Sequence, residues 1–285
     1  MIAYLILAHD QPALLGRLAR RIASTHAHVF VHVDAKADLA AFDDVLRDVP
    51  GCTRLQERFD VEWGGFSTVR ATLALMKAAR AAGAFRRYVL MSGVDYPVTS
   101  TEAREAILLD SDAEYIALER RLDAPEHKKR RRWVTQVHLH DTLFWPSLSR
   151  LKWLLPRRRY PHGLSPVHGS QWWALTDRAV GYVLDYVATH PDFLRAHRWM
   201  HHPCDILFHT LVAHSPFADL AANISTAPNV FGVHYVDWTI LGPRPPVLTD
   251  AYLPTLLASG ALFARKVQAG VSDTLLDALD QYIGP

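Results

Sequence analysis

The stretch HHPCDILFHTLVAHSP, residues 201–216, gathers His201, His202, Cys204, Asp205, His209 and His214 within fourteen residues. Side chains of these types support two kinds of chemistry. Imidazoles, a thiolate and a carboxylate bind a transition metal, or a single carboxylate at the head of a helix moves a proton. Spacing bears on the choice. A helix opened by Pro203, a residue suited to a first turn, leaves His201 and His202 in the preceding loop and His214 well over two turns beyond Asp205. Only Asp205 and His209, four apart, then share a face. Two ligands are too few for a structural zinc site unless partners come from elsewhere in the chain. The segment reads better as a helix start that presents Asp205. The helix dipole tends to lower the pKa of such a residue and keep it ionised, which suits a group that accepts a proton. His209 tunes it or merely packs.

The elements that must position this carboxylate show in the first 120 residues as alternating strands and helices. AYLILAH (3–9), HVFVHVD (28–34), RRYVLMSG (86–93) and AEYIALE (113–119) read as strands. PALLGRLARRIAS (12–24), DLAAFDDVLRDV (38–49), FSTVRATLALMKAARAA (66–82) and TEAREAILLD (101–110) carry helical spacing. This alternation predicts an α/β fold with a central, mainly parallel sheet and helices on both faces. Ligands of such sheets bind beyond the carboxyl ends of the strands, where AHDQP, HVDAKAD and SGVDYPVTS lie. Residues 121–168 are basic, His-rich and broken by prolines, which predicts long loops around a site. Beyond them, 170–190 reads as a strand and a helix, 203–215 as a helix, 231–239 as a strand and VSDTLLDALDQYI as a final helix. The chain is expected to be one domain over 1–285, with a first half over 1–120 and a second over 121–285.

Of the 285 residues, 49% are hydrophobic and 21% charged, ordinary for a soluble globular protein, and the net charge of +2 is too small to argue for nucleic acid. Basic residues cluster in HKKRRRW (127–133) and RRR (157–159), around the Trp-bearing run TLFWPSLSRLKWLLP. That region, 127–159, reads either as a solvated face or as a contact with an anionic membrane surface or substrate. Two distant cysteines, Cys52 and Cys204, argue against a disulfide scaffold. The N-terminal apolar run is too short for a signal peptide and no stretch reaches the ~18 apolar residues of a spanning helix. The expectation is a cytoplasmic protein, peripheral at most to the inner membrane face. No G-x-G-x-x-G, P-loop or G-x-S-x-G follows a strand. No D-x-D pair follows one either, and metal-dependent sugar-nucleotide enzymes need paired carboxylates to carry their cation.

An ordered series of segments, AHDQPALLGRL, VFVHVDAKAD, VEWGGFSTVRATLALM, RYVLMSGVDYPVTS, GSQWWALTDRAVGYVL, PCDILFHTLVAHSP, HYVDW and LFARKV, resembles glycosyltransferase family 14. That family comprises the core-2/I-branching β1,6-N-acetylglucosaminyltransferases and the peptide O-xylosyltransferases. The resemblance implies a GT-A-like fold and an inverting, metal-independent transfer from a UDP-sugar, with no cofactor, in which residues 1–120 form the nucleotide-sugar-binding half and 121–285 the acceptor and catalytic half. Pro203-Cys204-Asp205 matches the family's P-D-E, which makes Asp205 the general base. It carries Asp for Glu, one methylene shorter, so the backbone or the acceptor must sit closer. LFARKV matches the segment whose lysine meets the diphosphate, giving Lys266 that role with Arg265 assisting, and Arg244 is a candidate second arginine. His9 and Asp34 match positions near the nucleotide and Asp95 one near the donor sugar, while Asp34 and Asp95 also suit simple turns. Trp63, Gly64 and Ser67 follow the family pattern, though Trp63 also reads as core packing. Glu119, Lys128 and Arg131 map to acceptor contacts. Of Trp172 and Trp173, Trp172 is assigned to stack on the acceptor sugar.

The expected reaction is transfer of β-linked GlcNAc to a hydroxyl of a glycan, glycolipid or glycoprotein. UDP-xylose is the alternative donor. From other classes, a metallohydrolase built on the histidines predicts bound zinc and loss of activity in EDTA. A non-catalytic glycan- or membrane-binding protein predicts indifference to Asp205→Asn.

Overall fold

The computed structural model describes residues 1–138, 140–141, 157–239 and 244–284. The Trp-bearing run 142–156, on which the membrane-contact expectation largely rests, lies outside the described residues. The first half runs β1 (Ile2–Ala8), α1 (Pro12–Ile22), β2 (Ala27–Val33), α2 (Leu39–Leu46), β3 (Cys52–Arg54), α3 (Ser67–Ala82), β4 (Arg87–Ser92), β5 (Asp95–Pro97) and α4 (Thr101–Asp110). There follow β6 (Glu114–Tyr115), β7 (Arg120–Arg121), α5 (Lys128–Thr135), β8 (Val167–His168), β9 (Ala174–Thr176), α6 (Asp177–Thr189) and α7 (Pro191–His197). The chain continues with α8 (Cys204–Ala213), β10 (Ala221–Ala222), β11 (Val230–Phe231), β12 (His234–Val236), α9 (Leu253–Ser259), β13 (Phe263–Arg265) and α10 (Asp273–Ile283).

The main sheet has the order β10-β6-β9-β4-β1-β2-β3. All its pairs are parallel except those of β9, which runs antiparallel to β4 and β6. The expected mainly parallel α/β sheet is therefore present. Its centre is apolar on both faces because helices cover both. In β1, Ile2, Tyr4, Ile6 and Ala8 pack into one core with α1, α2 and α10, while Ala3 and Leu5 point into a second core with α3, α6 and α8. The period-two alternation of a strand makes that division. A fully buried Arg87 closes the end of α4, donating to the carbonyls of Leu108 and Ser111 at 3.0 and 2.6 Å. With the carbonyls of Ala113 and Ala174, these make four acceptors that satisfy a guanidinium burial would otherwise penalise.

A second sheet, β11-β12-β13-β5, lies beyond the carboxyl end of β4. The long strand expected at 231–239 is two short strands, because Gly232 turns the chain at φ +60°. The strand expected at 113–119 is shortened to Glu114–Tyr115. Residues 121–168 were expected to be loops, yet α5 stands among them: KKRRRWVT keeps Val134 buried and turns its basic residues outward. None of the described helices is long and apolar enough to cross a membrane.

Candidate active site

The second sheet builds one wall of the site. Its register sets Arg265 of β13 directly opposite Asp95 of β5, and Val236 of β12 on the other side of Arg265. Asp95 is fully buried, with one carboxylate oxygen accepting from the Ser92 amide at 2.7 Å. The same carboxylate stands 3.4 Å from both Arg265 Nε and His234 Nε2. It therefore caps the turn after β4, as the turn reading expected, and also faces Arg265 and His234. The Arg265 guanidinium lies 4.0 Å over the ring of Trp172. Arg265 Nε and Nη1 are buried without a hydrogen-bond partner among the described residues. A guanidinium held over an aromatic face with N–H groups unsatisfied has donors available to an anion. Neighbouring Lys266 is partly buried, and its backbone carbonyl accepts from the Leu248 amide at 2.9 Å.

The opposite wall is the head of α8. Pro203 caps that helix, as expected, and Asp205 stands in its first turn. Cys204 Sγ donates to Asp205 Oδ1 at 3.1 Å, and His202 Nδ1 is 3.9 Å from Asp205 Oδ2. Gly169 holds the β8 segment against this turn by donating its amide to the Asp205 carbonyl at 3.0 Å. Only glycine fits there: a Cβ would lie 1.7 Å from the Ala117 carbonyl oxygen and 2.5 Å from the His209 ring. His209 itself is buried and bonds the Ser170 carbonyl at 2.8 Å, and burial lowers its pKa to about 4. It is a packing residue.

Asp205 departs from one expectation. Its pKa is raised from 3.8 to about 7, first by burial and then by the nearby charge of Glu119, against the lowering effects of Cys204 and Arg265. The helix dipole does not keep this carboxyl strongly acidic, because only 22% of the side chain meets solvent and desolvation of a carboxylate outweighs a half-charge at a helix end. The result is a carboxyl poised near neutrality. Glu119 is likewise raised by burial, with Arg120 Nη1 3.5 Å away as a partial counterweight.

The other sequence-derived residues are distributed unevenly. Asp34 is buried, but its oxygens accept the amides of Lys36 at 2.8 Å and Val61 at 3.2 Å, the turn-forming role. His9 is exposed beyond β1, 3.6 Å from Asp10. Lys128 and Arg131 lie on the exposed side of α5, and Arg244 is exposed. Trp173 is core, whereas Trp172 belongs to the Arg265 wall. Trp63 is not core packing: it is 60% exposed and meets His202 edge-on at 4.5 Å. A cavity of about 250 Å³, lined in part by Glu119, Arg121, Val167 and His214, opens at the far end of α8. Eight residues separate Ala213 there from Asp205, roughly 12 Å of helix, so this cavity is not the chemical centre.

Several residues that the sequence did not single out surround Asp205. Trp133 of α5 packs on His168, His201 and His202 at 5.2–5.5 Å. Asp141 accepts from the amides of Phe66 and Ser67 and from Ser67 Oγ, at 2.8, 3.1 and 2.7 Å. The Gly64-Gly65 pair permits this: a Cβ on Gly65 would lie 2.1 Å from Asp141 Oδ1. His201, set aside as a ligand for want of partners, has His138 and His140 beside it. A helix-spacing argument cannot see partners supplied by another segment.

The model of the Core-2/I-Branching enzyme family matches residues 2–256. Bovine (Bos taurus) xylosyltransferase 2 is 27% identical over 307 residues, covering 99% of this chain and 33% of the bovine protein. Human (Homo sapiens) xylosyltransferase 1 is 25% identical over 301 residues, covering 99% of this chain and 30% of that one. The chain thus spans about a third of the length of the curated relatives it matches. Among solved structures, S. aureus TarS 1-349 aligns over 50% of this chain and 44% of its own, with 14% identity and a TM-score of 0.28.

Proposed function

The chain belongs to the Core-2/I-Branching enzyme family, and on that premise we propose that it is an inverting glycosyltransferase that moves a sugar from a UDP-sugar to an acceptor hydroxyl. One observation carries the reading: a carboxyl poised at about 7, Asp205, lies within charge-interaction range of a buried guanidinium, Arg265, whose Nε and Nη1 lack a hydrogen-bond partner among the described residues. Transfer needs those two functions. The acceptor oxygen attacks C1 of the donor sugar, the bond from C1 to the diphosphate oxygen breaks, and UDP departs. The acceptor proton passes to Asp205. A base with a pKa near the working pH takes it more effectively than an ordinary carboxylate.

The charge that develops on the diphosphate is met by Arg265, assisted by Lys266, in a partly water-excluded site where such stabilisation is worth most. No divalent cation is assigned to that step. Asp95 and Trp172 hold the guanidinium in place from either side. Trp63, exposed beside His202, offers a face for a sugar ring. Glu119 keeps Asp205 basic, and the acceptor lies along Glu119 and the exposed basic side of α5, where Lys128 and Arg131 stand. The same basic side supports peripheral contact with an anionic membrane.

The xylosyltransferase relatives favour UDP-xylose as donor. UDP-GlcNAc, expected from the branching enzymes, is the second reading. The test is UDP release from a panel of UDP-sugars in EDTA, with and without hydroxyl acceptors. Release that survives EDTA and falls at least a hundredfold in Asp205→Asn is expected. Strict dependence on added Mn²⁺ sinks the assignment of the diphosphate charge to Arg265 and Lys266.

A further inference from the structure

Beside the catalytic carboxylate, but outside the machinery described so far, lies a group of three histidines. His138 and His140 come from the segment after α5, and His201 from the loop that enters α8. One ring nitrogen from each lies within 4.8 Å of the other two. His201 Nδ1 and His140 Nε2 are 2.7 Å apart, and the three rings are near-parallel, with centroids 4.7–5.8 Å apart. We propose that His138, His140 and His201 bind one divalent transition-metal ion of the zinc class, which ties His138 and His140 to the loop that enters α8.

The chemistry fits. Neutral imidazole is a preferred ligand of zinc-class ions, and three protein nitrogens with an open fourth position are a recurrent zinc set. Tetrahedral bonds of 2.0–2.1 Å place ligand nitrogens about 3.3 Å apart. The 2.7 Å contact therefore opens by roughly 0.6 Å, and the widest separation closes by at most about 1.5 Å. Both changes are within the reach of side-chain rotation.

The surroundings hold the ligands near that geometry without metal. The His138 amide donates to the Trp199 carbonyl at 2.9 Å, and the His201 amide to the Trp133 carbonyl at 3.0 Å. His138 Nε2 lies 3.2 Å from the Arg132 carbonyl, an outer partner of the kind that orients a ligating imidazole. Asp141, next to His140, is anchored on Phe66 and Ser67. On the other side, a Cβ on Gly64 would already stand 3.4 Å from the His201 ring. These carbonyls and the Ser67 anchor come from separate parts of the chain, so the cluster is not an accident of one flexible loop.

The site is separate from the diphosphate wall, whose buried groups are Asp95, Arg265 and His234. Among the described residues its link to Asp205 runs through His202, whose ring meets His201 edge-on at 4.2 Å and whose Nδ1 lies 3.9 Å from Asp205 Oδ2. The expected consequence of metal loss is looser acceptor binding with donor hydrolysis retained.

The test uses the full chain without an affinity tag, stripped with EDTA, dialysed and titrated with Zn²⁺ or Co²⁺. One ion per chain by elemental analysis is expected, with intense Co²⁺ absorption between about 500 and 650 nm from a low-coordinate site. His140→Gln and His201→Gln are each expected to lower occupancy at least tenfold, whereas His26→Gln, at a histidine remote from the cluster, leaves it at one. Occupancy far below one in the wild type, or unchanged in both cluster variants, overturns the proposal. X-ray absorption at the zinc edge of the wild-type protein gives a second measurement that needs no variant, and fewer than three imidazole ligands overturns it as well. Metal content is read without substrate, so failure here leaves the transferase reading standing, and failure of UDP release leaves this one standing.

Discussion

The position of Asp205 makes the pH profile of transfer a direct test of the site. A general base acts only as the carboxylate, and the kcat/KM limb reports the pKa of the free enzyme. With that value at about 7, roughly a tenth of the enzyme carries the ionised base at pH 6 and nine-tenths at pH 8. The expected profile rises about tenfold between those pH values and levels off above 8, measured in EDTA so that no bound cation alters the local field. Glu119→Gln removes a negative charge that raises Asp205, so the limb moves to lower pH while the plateau changes separately with acceptor affinity. The same carboxyl leaves a mark on stability. A group at 3.8 unfolded and about 7 folded takes up a proton on folding between those values. Stability therefore falls as pH rises through that window, by up to about 4 kcal/mol, and is flat above it. The exposed fifth of the side chain reduces that figure. Asp205→Asn carries no charge at any pH, so it should raise Tm at pH 8.5 and match the wild type near pH 4. A flat kcat/KM between pH 5.5 and 8, or a limb unmoved by Glu119→Gln, refutes the placement of Asp205 as a buried base beside Glu119.

Arg265→Ala is expected to lower kcat/KM by about 10²–10³, the scale for losing one preorganised charge-stabilising group. Arg265→Lys should rescue it poorly, since an ammonium cannot lie flat on Trp172 or offer the same fork of donors; equal activity of the lysine variant refutes the stacked-receptor reading. Gly169→Ala drives a Cβ to 1.7 Å from the Ala117 carbonyl, and a denaturant melt should show a loss of about 3 kcal/mol or failure to fold. A neutral result means that β8 shifts away from α8 more easily than the packing suggests.

The order of strands and helices in the first half was legible because buried parallel strands and amphipathic helices differ in period. Ile2–Ala8 and Arg87–Ser92 are unbroken buried runs, and α1 and α3 repeat their apolar residues with helical spacing. Legibility fell where structure depends on partners distant in sequence. The α5 segment looked like a solvated basic loop because its buried side is little more than Val134 and half of Trp133. Those two are buried against Met200 and Ile206, some seventy residues on. For Trp63 core packing was one of two readings, since large aromatic residues beside glycines often pack, and nothing local reveals that this ring is 60% exposed.

The candidate site divides along the same line. Asp205 and Arg265 were proposed from segments that keep their neighbours in sequence, Pro203-Cys204-Asp205 and LFARKV, but their electrostatic surroundings could not be read there. A local rule, the helix dipole, pointed to an acidic Asp205, while the deciding influences are burial and Glu119, a residue 86 positions earlier. Arg265 read as the lesser cation beside Lys266 until the register of β13 set it opposite Asp95 and over Trp172. The histidines show the principle most plainly. Counting residues along one helix set His201 apart, while the histidines beside it, His138 and His140, come from 63 and 61 residues upstream, near Trp133 and the Asp141 anchor on Phe66 and Ser67. Residue types and local spacing therefore identify which atoms are chemically able. Which of them act, and in what protonation state, is set by contacts between segments, and those contacts follow from the packing of β8, α5 and the second sheet around the head of α8.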